Sequence, residues 1–231
     1  MDENTFIDLR REIKFIAYEV EYPYIKNWLL LNSAGFSKSF PERQVNNIYF
    51  DSSDLSAYYE NLSGQSNRTK IRYRWYGSAL LPDKGTLEVK QKKNCFGWKS
   101  RFEVPNSLIK KHYSWREFSC FLYKQLPLEG KLWINRFPIQ VLINRYKREY
   151  FISFDNKVRV TIDTMQSVWD QWEKSLPNLH FKTNHHPSLV IIEFKFDNRD
   201  RKSASDIMQG IPLRVGKYSK YVSGVRSIIM K

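Results

Sequence analysis

Apolar and polar residues alternate with a period of two along most of the chain. In TKIRYRWYG, residues 69–77, Ile71, Tyr73 and Trp75 fall on one face of a strand and Lys70, Arg72 and Arg74 on the other, because successive strand side chains point to opposite sides. Six further segments read the same way. REIKFIA sets Glu12 and Lys14 against Ile13, Phe15 and Ala17; TLEVKQKK sets Thr86, Glu88, Lys90 and Lys92 against Leu87 and Val89. GWKSRFEV places Lys99, Arg101 and Glu103 on one side, and INRYKREYF does so for Asn144, Tyr146, Arg148 and Tyr150. VRVTIDT aligns Arg159, Thr161 and Asp163, and LVIIEFKFD carries Glu193 and Lys195 opposite Val190, Ile192, Phe194 and Phe196. Helical spacing replaces alternation in two stretches. Residues 22–33 open a helix near a proline. Residues 114–126 form another, with Ser114 as N-cap, Glu117 three residues on, and an apolar stripe of Trp115, Phe118, Phe121 and Leu122. DSSDLSAYYENL reads as a short helix capped by Asp51 or Ser53.

Any one of these strands is explained by the solvated face of an antiparallel sheet. Seven together are not, because Arg and Lys predominate on the polar face, with a carboxylate only at intervals. The opposite faces are bulky and aromatic, and amphipathic helices are available to cover them. The expected fold is therefore α+β and mainly antiparallel β: a closed β-barrel tunnel with a charged lumen and helices packed on the outside. No repeat or Gly/Ser/Pro-rich linker divides the chain, so residues 1–231 read as a single domain. Unpaired cations facing one another in a lumen repel and lose hydration. A bound polyanion removes that cost. The interspersed carboxylates suit a divalent metal that bridges protein and phosphate oxygens.

Composition sharpens the choice of partner. A net charge of +14 calls for a polyanion. Nucleic acid is disfavoured, because the aromatics lie mainly on the apolar side of the strands and carboxylates recur in the charged row. The start, MDENTFIDLRREIKF, shows no apolar leader core, and no run approaches the ~18–20 apolar residues of a membrane span, so a cytoplasmic location is expected. Cys95 and Cys120 read as structural thiols, and His112, His180, His185 and His186 form no metal-binding set. Residues 165–188 are long for a connection between strands and read as a segment packed on the barrel or covering a tunnel mouth.

The ordered set RQVNNIYFDSSDLSAYYENLSG, RTKIRYRWYG, LEVKQKK with GWKSR, RYKREYF, VRVTID, IIEFK and KYSKY resembles the VTC domain. This is the polyphosphate polymerase branch of the triphosphate tunnel metalloenzyme superfamily. The likeness runs from about Arg10 to Tyr221. It implies a β tunnel that binds a nucleoside triphosphate or a polyphosphate chain. Phosphate contacts are implied for Lys14, Arg72, Arg74, Lys90, Lys99, Tyr146, Arg148, Lys217, Ser219 and Lys220. Glu193 is implied as metal ligand, with Mn2+ or Mg2+ as cofactor. Lys217 matches the basic residue nearest the transferred phosphoryl group, with Arg72, Arg74 and Arg148 neutralising charge. The implied reaction moves the γ-phosphoryl of ATP to inorganic polyphosphate. Family members that couple synthesis to translocation use membrane segments or partners; with no span of its own, this chain leaves room for a membrane-protein partner. One departure matters. Hydrolytic and cyclase-like members carry Glu-x-Glu-x-Lys on the first strand, whereas this chain has Arg10, Glu12 and Lys14. Losing the first carboxylate favours polymerase over hydrolase and leaves Glu12 either a ligand or a residue that orients a lumen cation. An inorganic triphosphatase or nucleoside triphosphatase, and a non-catalytic module for polyphosphate or inositol phosphates, are the alternatives.

Overall fold

The alternating segments join, in the computed structural model, into one nine-stranded antiparallel sheet. The structure describes residues 10–82, 84–94, 96–105, 113–183 and 188–230. Its strands are β1 (Arg10–Tyr18), β2 (Ser37–Asp51), β3 (Asn67–Tyr76), β4 (Gly85–Lys93), β5 (Phe96–Val104), β6 (Ile139–Ile152), β7 (Val158–Asp170), β8 (Lys182–Thr183) and β9 (Leu189–Asp197). The helices are α1 (Tyr22–Leu30), α2 (Ser56–Leu62), α3 (Trp115–Gln125), α4 (Leu128–Arg136), α5 (Arg201–Met208) and α6 (Lys220–Ile229). Cys95, His112, His185 and His186 lie outside the described residues, and His180 is exposed.

The strands run in the order β1-β9-β7-β6-β2-β3-β4-β5, with β8 beside β7. The expected closed barrel is not what forms, for no ladder joins β5 to β1 among the described residues. The outer edge of β1 is taken by the chain itself. Phe15 bridges Val215, and the Gly216 amide donates to the Lys14 carbonyl at 2.8 Å. A side chain at position 216 would put its Cβ 2.8 Å from Ile16 Cδ1, so any other residue there would have to displace the Ile16 side chain. The sheet curls nonetheless. β1 and β4 stand six strand spacings apart in the order, about 29 Å if flat, yet Lys90 Nζ on β4 lies 3.8 Å from Glu12 Oε2 on β1.

Helices cover the convex, apolar face in two places. α3 and α4 bring Trp115, Phe118, Leu122 and Ile134 against Tyr73, Trp75 and Leu87. α1 and α5 bring Ile25, Leu29, Ala204 and Met208 against Phe15, Val160 and Phe194. The outside placement fails for α2 and α6. Tyr58 of α2 and Tyr221, Val225 and Ile228 of α6 pack with Tyr49, Leu142 and Val168. These strand residues share the inner face: Tyr49 stands opposite Arg72 and Leu142, and Val168 opposite Asn144. At this end the inner face turns apolar, and burying it against α6 plugs the channel. Trp169, in the segment read as a connection, belongs instead to β7, which runs on to Asp170 past a bulge at Met165 that breaks the alternation, and the indole is buried.

Local signals held where capping chemistry was explicit. Ser114 Oγ accepts from the Glu117 amide at 3.2 Å, and Glu117 Oε2 accepts from the Ser114 amide at 2.8 Å. Asp51, fully buried, caps α2 from a distance: its two oxygens accept from the Ala57 and Tyr58 amides at 2.9 Å each, and the Tyr221 hydroxyl also donates to it. One carboxylate thereby ties β2, α2 and the plug helix. Asp51→Ala should lower stability in urea unfolding by about 3 kcal/mol, since it orphans buried donors. Ser53→Ala, at the exposed alternative cap, should change it by less than about 0.5 kcal/mol.

Candidate functional site

The concave face is a buried basic channel organised by carboxylates. Glu88 on β4, 5% exposed, accepts from Arg72 Nε at 2.7 Å and contacts Lys99. It has Arg74 Nη1 and Arg101 Nε each at 3.6 Å. Burial alone would raise its pKa; Arg72, Arg74 and Lys99 outweigh that and hold it well below the usual carboxylate range. Asp163 on β7 is fully buried. It takes a two-pronged grip from Arg148, Nε to Oδ1 at 2.5 Å and Nη2 to Oδ2 at 2.7 Å, and Lys220 Nζ at 2.5 Å. Burial again opposes ionisation, and Arg148 and Lys220 win, keeping Asp163 low.

Between the two anchors stands Tyr146. Its hydroxyl accepts from Arg74 Nη2 at 3.3 Å, and its ring carries the Lys220 ammonium 4.6 Å and the Arg148 guanidinium 5.2 Å from its centre. Burial would raise the phenol, but Arg148 and Arg74 bring it below its ordinary value. Arg74 Nε also donates to Asn47 Oδ1 at 2.9 Å, and Arg72 Nη1 to the Tyr49 hydroxyl at 3.4 Å. Both guanidiniums are thus fixed in orientation.

A third group is built from lysines. Lys14 Nζ lies 2.9 Å from Glu12, with Lys90 and Lys195 at 3.8 Å from the same carboxylate. Glu12 therefore does pair lumen cations. Burial would raise its pKa, but contact with the Glu193 carboxyl and the charges of Lys14, Lys90 and Lys195 drive it far down. Glu193 has Lys195 at 3.2 Å and Arg148 at 3.9 Å. Lys70 Nζ donates to Ser219 Oγ at 3.1 Å and no carboxylate pairs with it among the described residues. Burial, with Lys14 and Lys90 nearby, lowers its pKa to about 7. Lys99 is likewise lowered to about 7, by burial and Arg72 against the pull of Glu88.

The N-terminus of α6 closes this end. Ser219 caps it, accepting from the Val222 amide at 3.3 Å, and Lys14 Nζ donates to the Tyr218 carbonyl at 3.1 Å. Lys217 is exposed and no ion pair reaches it among the described residues, but the Gly216 bond to β1 fixes its place at the channel end. Of the residues singled out from the sequence, Lys14, Arg72, Arg74, Lys90, Lys99, Tyr146, Arg148, Glu193, Ser219 and Lys220 fall on this one channel, and Lys217 lies between Gly216 and Tyr218, whose backbones bond to Lys14. Arg10 lies on β1 opposite Asp197; its side chain lies outside the description. Glu88, Asp163 and Lys70 were on the charged faces in the sequence, but alternation names a face and not a partner, so their anchoring and titrating roles were missed.

No cluster of three or more His, Cys, Asp or Glu that could hold a metal occurs among the described residues. A divalent ion that uses one or two carboxylates, with substrate oxygens completing its shell, fits better. Glu12 and Glu193 touch, and beside them, opposite Glu193 on β7, the buried Thr161 Oγ1 has no hydrogen-bond partner among the described residues.

A curled antiparallel sheet whose concave face gathers oriented guanidiniums and ammoniums defines a basic channel with the chemistry to suit a polyanion. The family model described as VTC domain matches residues 9–229, and the chain belongs to that family, which is associated with phosphoryl-transfer enzymes. A search of curated proteins finds no match. No helix among the described residues is long and apolar enough to cross a membrane.

The lysines yield a pH test. Between about 7 and the ordinary 10.5, unfolded Lys70 and Lys99 hold more protons than folded ones, so their contribution to stability rises as pH climbs through that window. A polyanion reverses the preference by favouring the charged amines. Calorimetric titration with tripolyphosphate near pH 8, in buffers of different ionisation enthalpy, should show net proton uptake, reduced in Lys70→Met. Equal uptake in that variant would mean that Lys70 does not face the ligand.

Proposed function

We propose that the protein is a polyphosphate polymerase that transfers the γ-phosphoryl group of ATP to the end of an inorganic polyphosphate chain. One observation carries this reading, the surplus of channel cations. With Arg72 and Lys99 on Glu88, and Arg148 and Lys220 on Asp163, Lys14, Lys90 and Lys195 still gather around Glu12 and Glu193, and Lys70 stands near Lys14 and Lys90 with no carboxylate partner among the described residues. That is more positive charge than three phosphates require, and a longer anion uses it. Arg10 supports polymerase over hydrolase: it stands two residues before Glu12 in the sequence, at the position where the resemblance gives hydrolytic members a carboxylate.

In this reading Arg72, Arg74, Arg148, Lys99 and Tyr146 hold the triphosphate, and Lys14, Lys90, Ser219 and Lys220 extend the grip. Lys217 stands beside the transferred group. A terminal oxygen of the chain attacks the γ-phosphorus while the bond to the β–γ bridging oxygen breaks; ADP leaves with that electron pair and the chain grows by one phosphate. The protein contributes positioning and a preorganised field for the charge spread over the moving group. A divalent ion, Mn2+ or Mg2+, held by Glu193 with Glu12, would add charge neutralisation when bound.

Incubation with γ-labelled ATP and manganese tests the reading. The expected result is a labelled ladder of chains with ADP formed in step. Labelled orthophosphate alone would make the protein a hydrolase, and neither product would make it a binding module. Glu193→Gln should cut turnover by about tenfold or more while tripolyphosphate still binds; unchanged turnover would reduce Glu193 to a paired channel charge. Arg72→Ala should weaken tripolyphosphate binding by roughly 1.5–3 kcal/mol in calorimetry.

A further inference from the structure

The mouth of the channel away from α6 has a different chemistry. The Arg43 guanidinium carbon lies 5.5, 5.7 and 5.9 Å from the ring centres of Phe40, Tyr76 and Tyr150. Phe40 meets Tyr150 edge to face at 5.8 Å. Residues 40 and 43 would point to opposite faces of a regular strand. The β2–β6 register slips between Lys38 and Phe40 and again between Phe40 and Arg43, and such bulges re-aim side chains at barrel rims and active sites. Here they turn both residues to the concave side.

The cluster is not core packing. Phe40 is 56% and Tyr76 52% exposed, so both rings keep exposed surface beside the Arg43 guanidinium, at an opening into a highly charged channel. Tyr150 joins the rim to the interior, with Arg148 and Tyr146 on one side and Arg43 and Tyr76 on the other. Beside Tyr76 opens a cleft of about 290 Å³, with Arg74, Thr86 and Glu103 in its lining, close to the lower end of the ~300–1,000 Å³ typical of small-molecule sites. Exposed aromatic surface offers nothing to a phosphate chain, because the face of a π-system carries negative potential. It suits a flat heteroaromatic ring, as does a guanidinium plane.

We propose that this rim is a nucleobase platform. The channel would take a nucleoside triphosphate with its base stacked at Tyr76, Phe40 and Arg43 and its phosphates running inward to Arg74 and Arg148. Thr86 and Glu103 in the adjoining cleft offer hydrogen-bonding groups to the base edge or the ribose hydroxyls. The proposal rests on the phosphate channel described above but adds a site with its own chemistry.

Calorimetry with a non-hydrolysable ATP analogue and with inorganic tripolyphosphate separates the two. Tyr76→Ala and Phe40→Ala should each weaken the nucleotide about tenfold, the loss expected for one stacked base, and change tripolyphosphate by less than about twofold. Tyr76→Phe should restore the nucleotide. The fluorescence of a 2-aminopurine nucleoside triphosphate should be quenched on binding to the wild type and less so in Tyr76→Ala. Equal losses for both ligands, or none for either, would overturn the platform and leave the phosphate channel standing. If the wild type binds neither ligand, channel and platform fall together. A single-stranded oligonucleotide that binds more tightly than the nucleotide through the same residues would overturn the mononucleotide assignment.

Discussion

Glu88 and Asp163 decide whether this sheet can carry its charge at all. A buried guanidinium without a counter-charge is expensive, and the concave face holds Arg72, Arg74 and Arg148 in close quarters. Each carboxylate meets that cost where it arises. Glu88 sits opposite Arg72 in the β3–β4 ladder and opposite Arg101 in the β4–β5 ladder, and Asp163 sits opposite Arg148 in the β6–β7 ladder. Cross-strand pairing therefore sets the contacts without help from long loops. The arginines emerge with their orientation fixed and part of their donor capacity unspent, and a phosphate arriving there demands little reorganisation.

The curl of the sheet depends on the same balance. Bringing β4 to β1 sets Lys90, Lys70, Lys14 and Lys195 near one another, which is tolerable only around Glu12 and Glu193. On the convex side, α1, α5, α3 and α4 bury the aromatic faces. On the concave side, α6 enters where polar residues give way to Tyr49, Leu142 and Val168, close enough that a Cβ at Gly224 would meet Leu142 Cδ2 at 2.8 Å. That seat aims the N-terminus of α6, with Ser219 and Lys220, at the lumen, where its positive dipole end favours an anion.

What could be read from the sequence was what has a local period or a local partner. Alternation placed the seven charged strands and their faces, and the Ser114–Glu117 box gave the start of α3. Closure was not legible, because the residue pair that replaces it, Phe15 with Val215, is two hundred positions apart. The plug helix was missed for a related reason: Tyr49 and Val168 look like ordinary strand apolars until the ladder shows that they share the face of Arg72 and Asn144. The aromatic rim escaped because bulges in β2 break the period of two at Phe40 and Arg43, where a count of alternating residues assigns them to opposite sides.

The two kinds of cation are sorted by place, and the sorting bears on how a long anion could move. Arg72 and Arg148 are pinned by bidentate or paired contacts to Glu88 and Asp163, and a fixed fork holds a phosphate in one register. The lysines near Glu12 are compact charges on flexible stems, and at Lys70 the charge itself is weakly held, with a pKa near 7. A row of such groups attracts phosphate without preferring one register over the next, and Lys70 can give up its charge as the anion leaves. In the proposed polymerase reading, the arginines align the triphosphate and the lysines let the product slide, a division of labour suited to a chain-extending reaction in a single channel.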